Sequence, residues 1–589
     1  MGQRFSTVYL WAVILVATLT QAIPMPQALP IPENRLAPIQ HRLALAGSGG
    51  MAVSWNTYTK LDKAEVFYGT KPDQLTNVAG SYDSSTYPSS TTFSNHVKLS
   101  GLAPNTVYYY RVSHTLSNAP VMNFTTPPET GKSPLVFAVA IDLGTMGPLG
   151  LSETTGEGDG GALLPGERNT IDALAANLGK YSFVWHPGDI GYADYWLKEQ
   201  VHGYLPEVPV EEGFKVYESI LNTFYEQISK VSAYVPYMVG PGNHEANCDN
   251  GGVKDKKKGI AYTVDICIPG QTNFSGYQSH WRMPNEESGG FKNMWYSFDY
   301  GPVHFVQINT ETDFGRGIIA PGEPGGNGKE YAGPFARYAD EQQDWLERDL
   351  KNVDRCKTPW VIVAGHRPWY AAGKDGCSEC QDAFEAVLVN HGVDVVVFGH
   401  VHNYQRFDPM KFGEVDPRGL NNPSAPWYLL NGVAGHYDGM DKFEGKKGKQ
   451  LEKPTGFKVG FDDTYGWSRF IVHNSTHLTH EFVASRNDSV LDKATLFKHR
   501  SMPTECSSRA ATGLSAMGAE NESESDFTSI VDAVRNPDVS DGIDGFDSAH
   551  NVVVAKMAKT AQSGGTGRAS RQSSPLGMIV AIAAILMLL

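Results

Sequence analysis

The chain of 589 residues is short of three things: cysteine, of which it has 6; positive charge, with 49 Lys and Arg against 64 Asp and Glu; and apolar runs of membrane-spanning length. The formal charge of -15 argues against a nucleic-acid-binding surface, because holding a phosphate backbone needs clustered Lys and Arg. The longest basic cluster, Lys254 to Lys258, sits in a glycine-flanked stretch and reads as a solvated loop. Cys377-Ser-Glu-Cys380 has no second CxxC to partner it, which argues against a zinc knuckle and for a small-loop disulfide. The even set Cys248, Cys267, Cys356, Cys377, Cys380 and Cys506 suits three disulfides in an oxidising compartment, with the connectivity left open. No internal repeat is evident. Glycine and proline, by contrast, number 61 and 35, which implies many turns and a β-rich globular build.

Two apolar runs lie at the ends of the chain. Val8 to Leu19 follows the charged MGQR and precedes Thr20-Gln21-Ala22, the layout of a secretory signal peptide over residues 1–22. The Met-Gly start with Ser6 also fits a myristoylation pattern, but the apolar run favours secretion. Gly577 to Leu589, an apolar tail of 13 residues, follows the small residues Ser563-Gly564-Gly565 and the polar spacer Thr566 to Ser574. That is the pattern of a GPI-anchor signal over 563–589, and it places the mature protein at the cell surface or cell wall. A plain C-terminal membrane anchor is the competing reading. Sequons at Asn123, Asn273, Asn474, Asn487 and Asn521 agree with a secretory route and glycosylation.

Between these ends the chain divides by pattern. Residues 23–38 are a Pro-rich lead-in. Residues 39–128 alternate short apolar runs with turns, among them Met51 to Trp55, Ala64 to Tyr68, His96 to Leu99, Val107 to Val112 and Val121 to Phe124, which predicts an all-β sandwich. Its Trp55 and its Leu102-Ala-Pro-Asn-Thr-Val-Tyr108 stretch resemble a fibronectin type III domain, a structural module. A second domain over 133–498 changes to β-branched runs separated by helical stretches. The strand candidates are Leu135 to Ile141, Tyr181 to Trp185, Tyr234 to Val239, Val303 to Ile308, Trp360 to Ala364 and Val393 to Phe398. Helices are predicted at Thr170 to Lys180, Phe214 to Lys230, Ala339 to Asn352 and Gln381 to Asn390. This alternation predicts an α/β architecture around a largely buried central sheet. Residues 501–562 are rich in Ser, Ala, Gly and acidic side chains and read as a mobile stalk.

Several predicted strands of the second domain run directly into glycine and a metal-competent side chain. They are Ala140-Ile-Asp142, Pro187-Gly-Asp189-Ile-Gly-Tyr192-Ala-Asp194, Pro241-Gly-Asn243-His244-Glu245, Ala364-Gly-His366-Arg367 and Phe398-Gly-His400-Val-His402. Any one of these is an ordinary turn. Together they form a set, because ligands collect at the carboxyl ends of strands in an α/β sheet and glycine permits the tight turn there. Carboxylate, amide, phenol and imidazole donors without thiolates suit Fe, Zn or Mn rather than an iron–sulfur cluster.

The order D, GDxxY, GNHE, GHR, GHxH resembles the purple acid phosphatases among the dinuclear metallophosphoesterases, over residues 39 to about 498. The resemblance implies an αββα core, a β-sandwich flanked by helices, behind the fibronectin-like domain. It further implies Fe(III) on Asp142, Asp189, Tyr192 and His402, and a divalent Zn, Fe or Mn on Asp189, Asn243, His366 and His400, with Asp189 bridging. A phenol of pKa about 10 ionises readily at acid pH only on a strong Lewis acid, which makes Tyr192 the residue that points to a trivalent ion. His244 would be the catalytic proton donor, with Glu245 orienting it. Plant members carry a pair of His after the GHxPW-type motif; here the chain reads Arg367-Pro-Trp-Tyr-Ala-Ala-Gly-Lys374. Arg367, Lys374, His202 or His436 is expected to replace that substrate contact beside Asn243. The expected activity is hydrolysis of phosphate monoesters of small molecules. A phosphodiesterase or nucleotide phosphatase on the same core, and an inert surface adhesion protein, are the alternatives.

Overall fold

The computed structural model describes residues 31–500 apart from 133, 147–162, 165, 203–204, 206, 251–266, 323–333, 374–375, 436–438 and 445–452. The expected signal peptide, stalk and anchor signal, with Cys506 and Asn521, lie outside the described residues. No helix among those described is long and apolar enough to cross a membrane.

The N-terminal sandwich consists of two antiparallel sheets of four strands each. One runs in the order Ile39–Leu45, Met51–Thr57, Phe93–Leu99, Ser84–Ser85. The other runs Asn77–Ser81, Ala64–Gly69, Val107–Val112, Met122–Thr125. Period-two alternation buries Val66 on one strand and Tyr108, Tyr110 and Val112 on another. Trp55 is wholly buried between the sheets. The Ala103 N–H donates to Tyr108 Oη at 3.1 Å, a corner that pins the turn before the long strand.

The larger region is built on two packed sheets, the β-sandwich core that the resemblance implied, where strand–helix alternation alone pointed to one. The first has six strands in the order Tyr237–Gly240, Val184–Pro187, Leu135–Val139, Gly466–Val472, His477–Ala484, Val490–Phe497. The second has seven, in the order Tyr296–Tyr300, Val303–Gln307, Trp360–Ala364, Val395–Phe398, Trp427–Asn431, Tyr404–Phe407, Phe457–Phe461. Aromatic side chains fill the space between them. Phe137 stacks on Phe183 and Phe470 at 5.2 and 4.8 Å and meets Phe305 of the other sheet edge-on at 5.0 Å. Strands such as Trp360–Ala364 and Val395–Phe398 are buried along their whole length, as expected of parallel strands covered on both faces.

Helix Gly213–Ser232 shows why this sheet pair and the N-terminal sandwich act as one body. Its Val216, Tyr217, Ile220, Phe224, Ile228 and Val231 form a buried stripe at helical spacing, while its other positions meet the first strand of the sandwich. Gln40 Nε2 donates to Asn222 Oδ1 at 2.9 Å, and the Tyr87 and Ser89 hydroxyls donate to Glu218 at 2.8 and 2.6 Å. Buried Arg42 donates to the His280 carbonyl at 3.0 Å and stacks over Tyr225. Two predicted strands are shifted. The strand expected from Tyr234 begins at Tyr237, because the N–H groups of Tyr234 and Val235 instead donate to the Val231 carbonyl and finish the helix. The one expected at Tyr181 runs Val184–Pro187, in register with Tyr237–Gly240.

Cys248 pairs with Cys267 and Cys377 with Cys380, and Cys356 is also disulfide-bonded.

Candidate metal centre

Strands Leu135–Val139, Val184–Pro187 and Tyr237–Gly240 are parallel neighbours, as are Trp360–Ala364 and Val395–Phe398 in the other sheet. Their carboxyl ends therefore open on one edge of the molecule, and the loops that follow bring together side chains distant in sequence. Asp189, His366 and His400 form one group whose ligand atoms lie within 4.8 Å of one another. Asp142, Asp189 and His402 form a second group with the same limit, and Asp189 belongs to both. Tyr192 Oη lies 2.8 Å from Asp142 Oδ1, 3.2 Å from Asp189 Oδ2 and 3.1 Å from His402 Nε2. Asn243 Oδ1 lies 2.8 Å from His400 Nδ1 and 3.1 Å from His366 Nε2. The seven side chains named from the sequence thus converge, each group around Asp189.

The local backbone is bent to achieve this. Asp142, Asp189, Tyr192 and His400 all have positive φ, between 50° and 69°, a conformation disfavoured for residues with a Cβ and concentrated at functional turns. Neighbouring glycines leave the room. A Cβ at Gly242 would stand 2.3 Å from Asp189 Oδ1, and one at Gly399 would stand 2.4 Å from Asp142 Oδ2.

Electrostatics mark the cluster as a cation site. Asp142 and Asp189 are both wholly buried, and among the described residues their only ion-pair partners are His244, His366 and His402. Buried carboxylates without a cation are costly. Burial, and then the Asp142 and Asp189 carboxylates, push the Tyr192 phenol well above its ordinary range, so it stays protonated unless a strong positive charge faces it. These donors fit a pair of metal ions: oxygen and imidazole ligands, arranged in two groups with one shared carboxylate.

His244 borders the group without joining it. Its N–H donates to Asp189 Oδ1 at 2.9 Å, which fixes the loop, and its Nε2 is 3.8 Å from Asp189 Oδ2. Its Nδ1 donates to Asp194 Oδ2 at 2.6 Å, and Asn247 donates to the same oxygen at 2.8 Å. Burial alone would lower the His244 pKa, but the Asp194 and Asp189 carboxylates outweigh it and raise the value to about 9. The expectation that Glu245 orients His244 is corrected. Glu245 accepts the N–H groups of Asp189, Ile190 and Gly242 at 3.0, 2.7 and 2.7 Å and so ties two ligand loops together. Asp194 holds the imidazole instead. It stands two positions after Tyr192 in the same motif, the one sequence sign of its role.

Arg367 also departs from expectation. It is 2% exposed, and its Nε donates to Glu311 Oε2 at 2.8 Å. The His366 and Arg367 N–H groups both donate to Thr310 Oγ1, at 3.1 and 2.9 Å. The Nε of the guanidinium is thus held by a buried carboxylate, a structural contact that the sequence reading of Arg367 did not include. Thr310 and Glu311 follow strand Val303–Gln307 at the same edge, but this loop lacks the glycine directly before a donor that flagged the others. Lys374, His436 and the His202 side chain lie outside the described residues. Of the sequons, Asn273, Asn474 and Asn487 are exposed and Asn123 is half-buried.

Comparison with known proteins gives the same picture along the chain. Family models match for the purple acid phosphatase N-terminal domain over residues 38–126, for calcineurin-like phosphoesterase over 160–404, and for the iron/zinc purple acid phosphatase-like protein C over 425–493. Acid phosphatase A of Cryphonectria parasitica is 37% identical over 497 residues, covering 80% of this chain and 93% of that protein. The acid phosphatase of Aspergillus ficuum is 31% identical over 489 residues, with 69% and 76% covered. Purple acid phosphatase 18 of Arabidopsis thaliana is 29% identical over 490 residues, with 79% and 89% covered. A solved purple acid phosphatase from yellow lupin seeds shares the fold, with a TM-score of 0.56 at 21% identity over 78% of this chain and 74% of that one. Relatedness at this level over nearly the whole of a fungal acid phosphatase leaves one assignment: the chain belongs to the purple acid phosphatase family.

Proposed function

We propose that this enzyme is a secreted acid phosphatase that hydrolyses phosphate monoesters of small molecules at a dinuclear Fe(III)–M(II) centre. The observation that carries the reading is Asp189 shared between two donor groups, the arrangement a bridged metal pair requires. Asp142, Asp189, Tyr192 and His402 would hold Fe(III); Asp189, Asn243, His366 and His400 would hold Zn, Fe or Mn. With +3 and +2 ions held by two carboxylates and a tyrosinate, the loaded site would carry a net positive charge, which suits an anionic ester inside an acidic protein. Such a pair would supply Lewis acidity and lower the pKa of water enough for it to lose a proton and become the nucleophile for phosphorus.

The chain's own groups complete the chemistry. Asp194 holds Nδ1–H of His244, so Nε2 faces the site and delivers a proton to the departing alkoxide oxygen. The Asn243 amide, at the mouth of the same loop, positions a phosphate oxygen. Glu245 and Thr310 keep the ligand loops in place as substrate enters and leaves. A GPI anchor would hold the enzyme at the cell surface, with its product released nearby.

The test is to express residues 23–562 in a secretory host, measure metal content and the visible spectrum, and assay phosphate release from mono- and diesters. A coloured protein with two metals per chain and monoesterase activity is expected. A colourless, metal-free and inactive protein would overturn the proposal, and faster diester hydrolysis would replace the substrate class. Tyr192→Phe is expected to abolish the tyrosinate-to-iron band while the fold persists.

A further inference from the structure

A cleft of about 900 Å³ lies between the sandwich and the catalytic sheets, at the opposite strand ends from the metal centre. Pro104, Asn105 and Thr126 line one wall; Leu178, Tyr181 and Tyr234 line the other. Its size is that of a pocket for a drug-sized ligand, roughly 300–1,000 Å³, yet no catalytic group faces it. One wall carries Asn123 and Thr125, the two chemical positions of the sequon Asn123-Phe124-Thr125. Strand periodicity places them there: Met122 and Phe124 are buried in the sandwich core at 8% and 1% exposure, so Asn123 and Thr125 face the opposite way. The strand is also the last of its sheet, an edge whose unpaired groups benefit from cover.

We propose that an N-linked glycan on Asn123 lies in this cleft and wedges the sandwich against the catalytic sheets. The lining suits a glycan core. Half-buried Tyr234 and the edges of Tyr181 and Tyr300 border the space with Pro104 and Leu178, an apolar floor for the C–H faces of the sugars, while Glu129, Lys132 and Ser182 offer partners to hydroxyl and acetamido groups. The same arrangement recurs at a second cleft of the junction, of about 540 Å³, lined by Asn273 and Ser275 of the sequon Asn273-Phe274-Ser275 and by Ser85 and Thr86 of the sandwich. Asn474 and Asn487, by contrast, stand on exposed turns between the last three strands of the six-stranded sheet, and their glycans point into solvent. The inference rests on the secretory reading above.

The experiment uses the full-length chain secreted from a eukaryotic host, with glycopeptide mapping before and after endoglycosidase treatment of the native protein. Glycans on Asn474 and Asn487 are expected to be released, while that on Asn123 resists until the protein is denatured. Thr125→Ala, which removes the sequon, is expected to lower the melting temperature by roughly 2 °C or more and to raise protease cleavage in the linker at 127–134. Thr125→Ser, which keeps the sequon, and Asn474→Gln and Asn487→Gln are expected to do neither. Occupied Asn474 or Asn487 beside an unmodified Asn123 overturns the wedge alone, as does an Asn123 glycan released as readily as theirs. No glycan at any of these sites overturns the secretory reading with it. If Thr125→Ala is not secreted, the protection measurement on the natural chain decides.

Discussion

Replacing Arg367 by methionine tests the assignment of that residue to the foundation of the site rather than to substrate. Methionine keeps much of the length of the side chain and removes its charge. Glu311, wholly buried and 2.8 Å from the guanidinium, then loses its cationic partner. Removing one member of a buried pair costs about 3–5 kcal/mol, because the remaining charge stays desolvated. In a chain of this size that corresponds to a fall in melting temperature of roughly 3–5 °C. Replacing both, as R367M/E311L, removes the stranded charge and is expected to recover most of the loss. Calorimetry of wild type, R367M, E311L and the double variant measures the coupling. Kinetics on the fully metallated R367M enzyme complete the assay: KM is expected to stay within about twofold of wild type, since no uniform binding contact has been removed. An R367M protein that melts like wild type but shows a KM raised tenfold or more would refute the reasoning and return Arg367 to the substrate.

Three further outcomes follow from the geometry. Asp194→Asn should lower kcat by about 10²-fold for alkyl phosphates, with far less effect on aryl phosphates whose leaving group needs no proton; equal losses on both would remove His244 from the proton-donor role. Gly399→Ala places a Cβ 2.3 Å from Ile141 Cγ2 and 2.4 Å from Asp142 Oδ2, and is expected to lower metal content and activity together while far-UV circular dichroism stays near wild type. His304 is bracketed by Asp299 at 2.7 Å and Asp349 at 2.9 Å. Burial would lower its pKa, but these carboxylates raise it to about 9 from 6.5. Because the folded value is the higher one, the pair's contribution of about 3 kcal/mol is fully present below pH 6.5 and lost as pH rises through 9. Melting curves from pH 6 to 9.5 should therefore fall more steeply for wild type than for His304→Gln, and identical slopes would exclude the linkage.

The α/β region and its site were legible in sequence because each ligand follows an apolar run that can only be a buried strand, and glycine marks the turn. Asp142, Asp189, His366 and His400 could be found that way, since strand ends in a parallel sheet must collect on one edge. Periodicity along a run shows that it is buried, but not in which sheet. The alternation alone therefore pointed to one central sheet, whereas the two sheets packed through Phe137, Phe183 and Phe305 are the β-sandwich core that the family resemblance implied.

What the sequence by itself determined, then, is the order of the candidate donors, the enzyme family they point to and the position of each after a strand, because those depend on local pattern. Only the tertiary structure decided who faces whom. Arg367 and Glu311 are 56 residues apart, and nothing in either loop announces that one neutralises the other. His244 could be paired with its neighbour Glu245 or with Asp194, and the fold chose Asp194 because the backbone N–H groups of two loops had already claimed the glutamate. Asn123 is a sequon in any reading of the chain, yet it faces a cleft only because the catalytic sheets pack beside its strand. Each of these depends on where a side chain's partner arrives in space, and burial makes the partner, rather than the residue, set the chemistry.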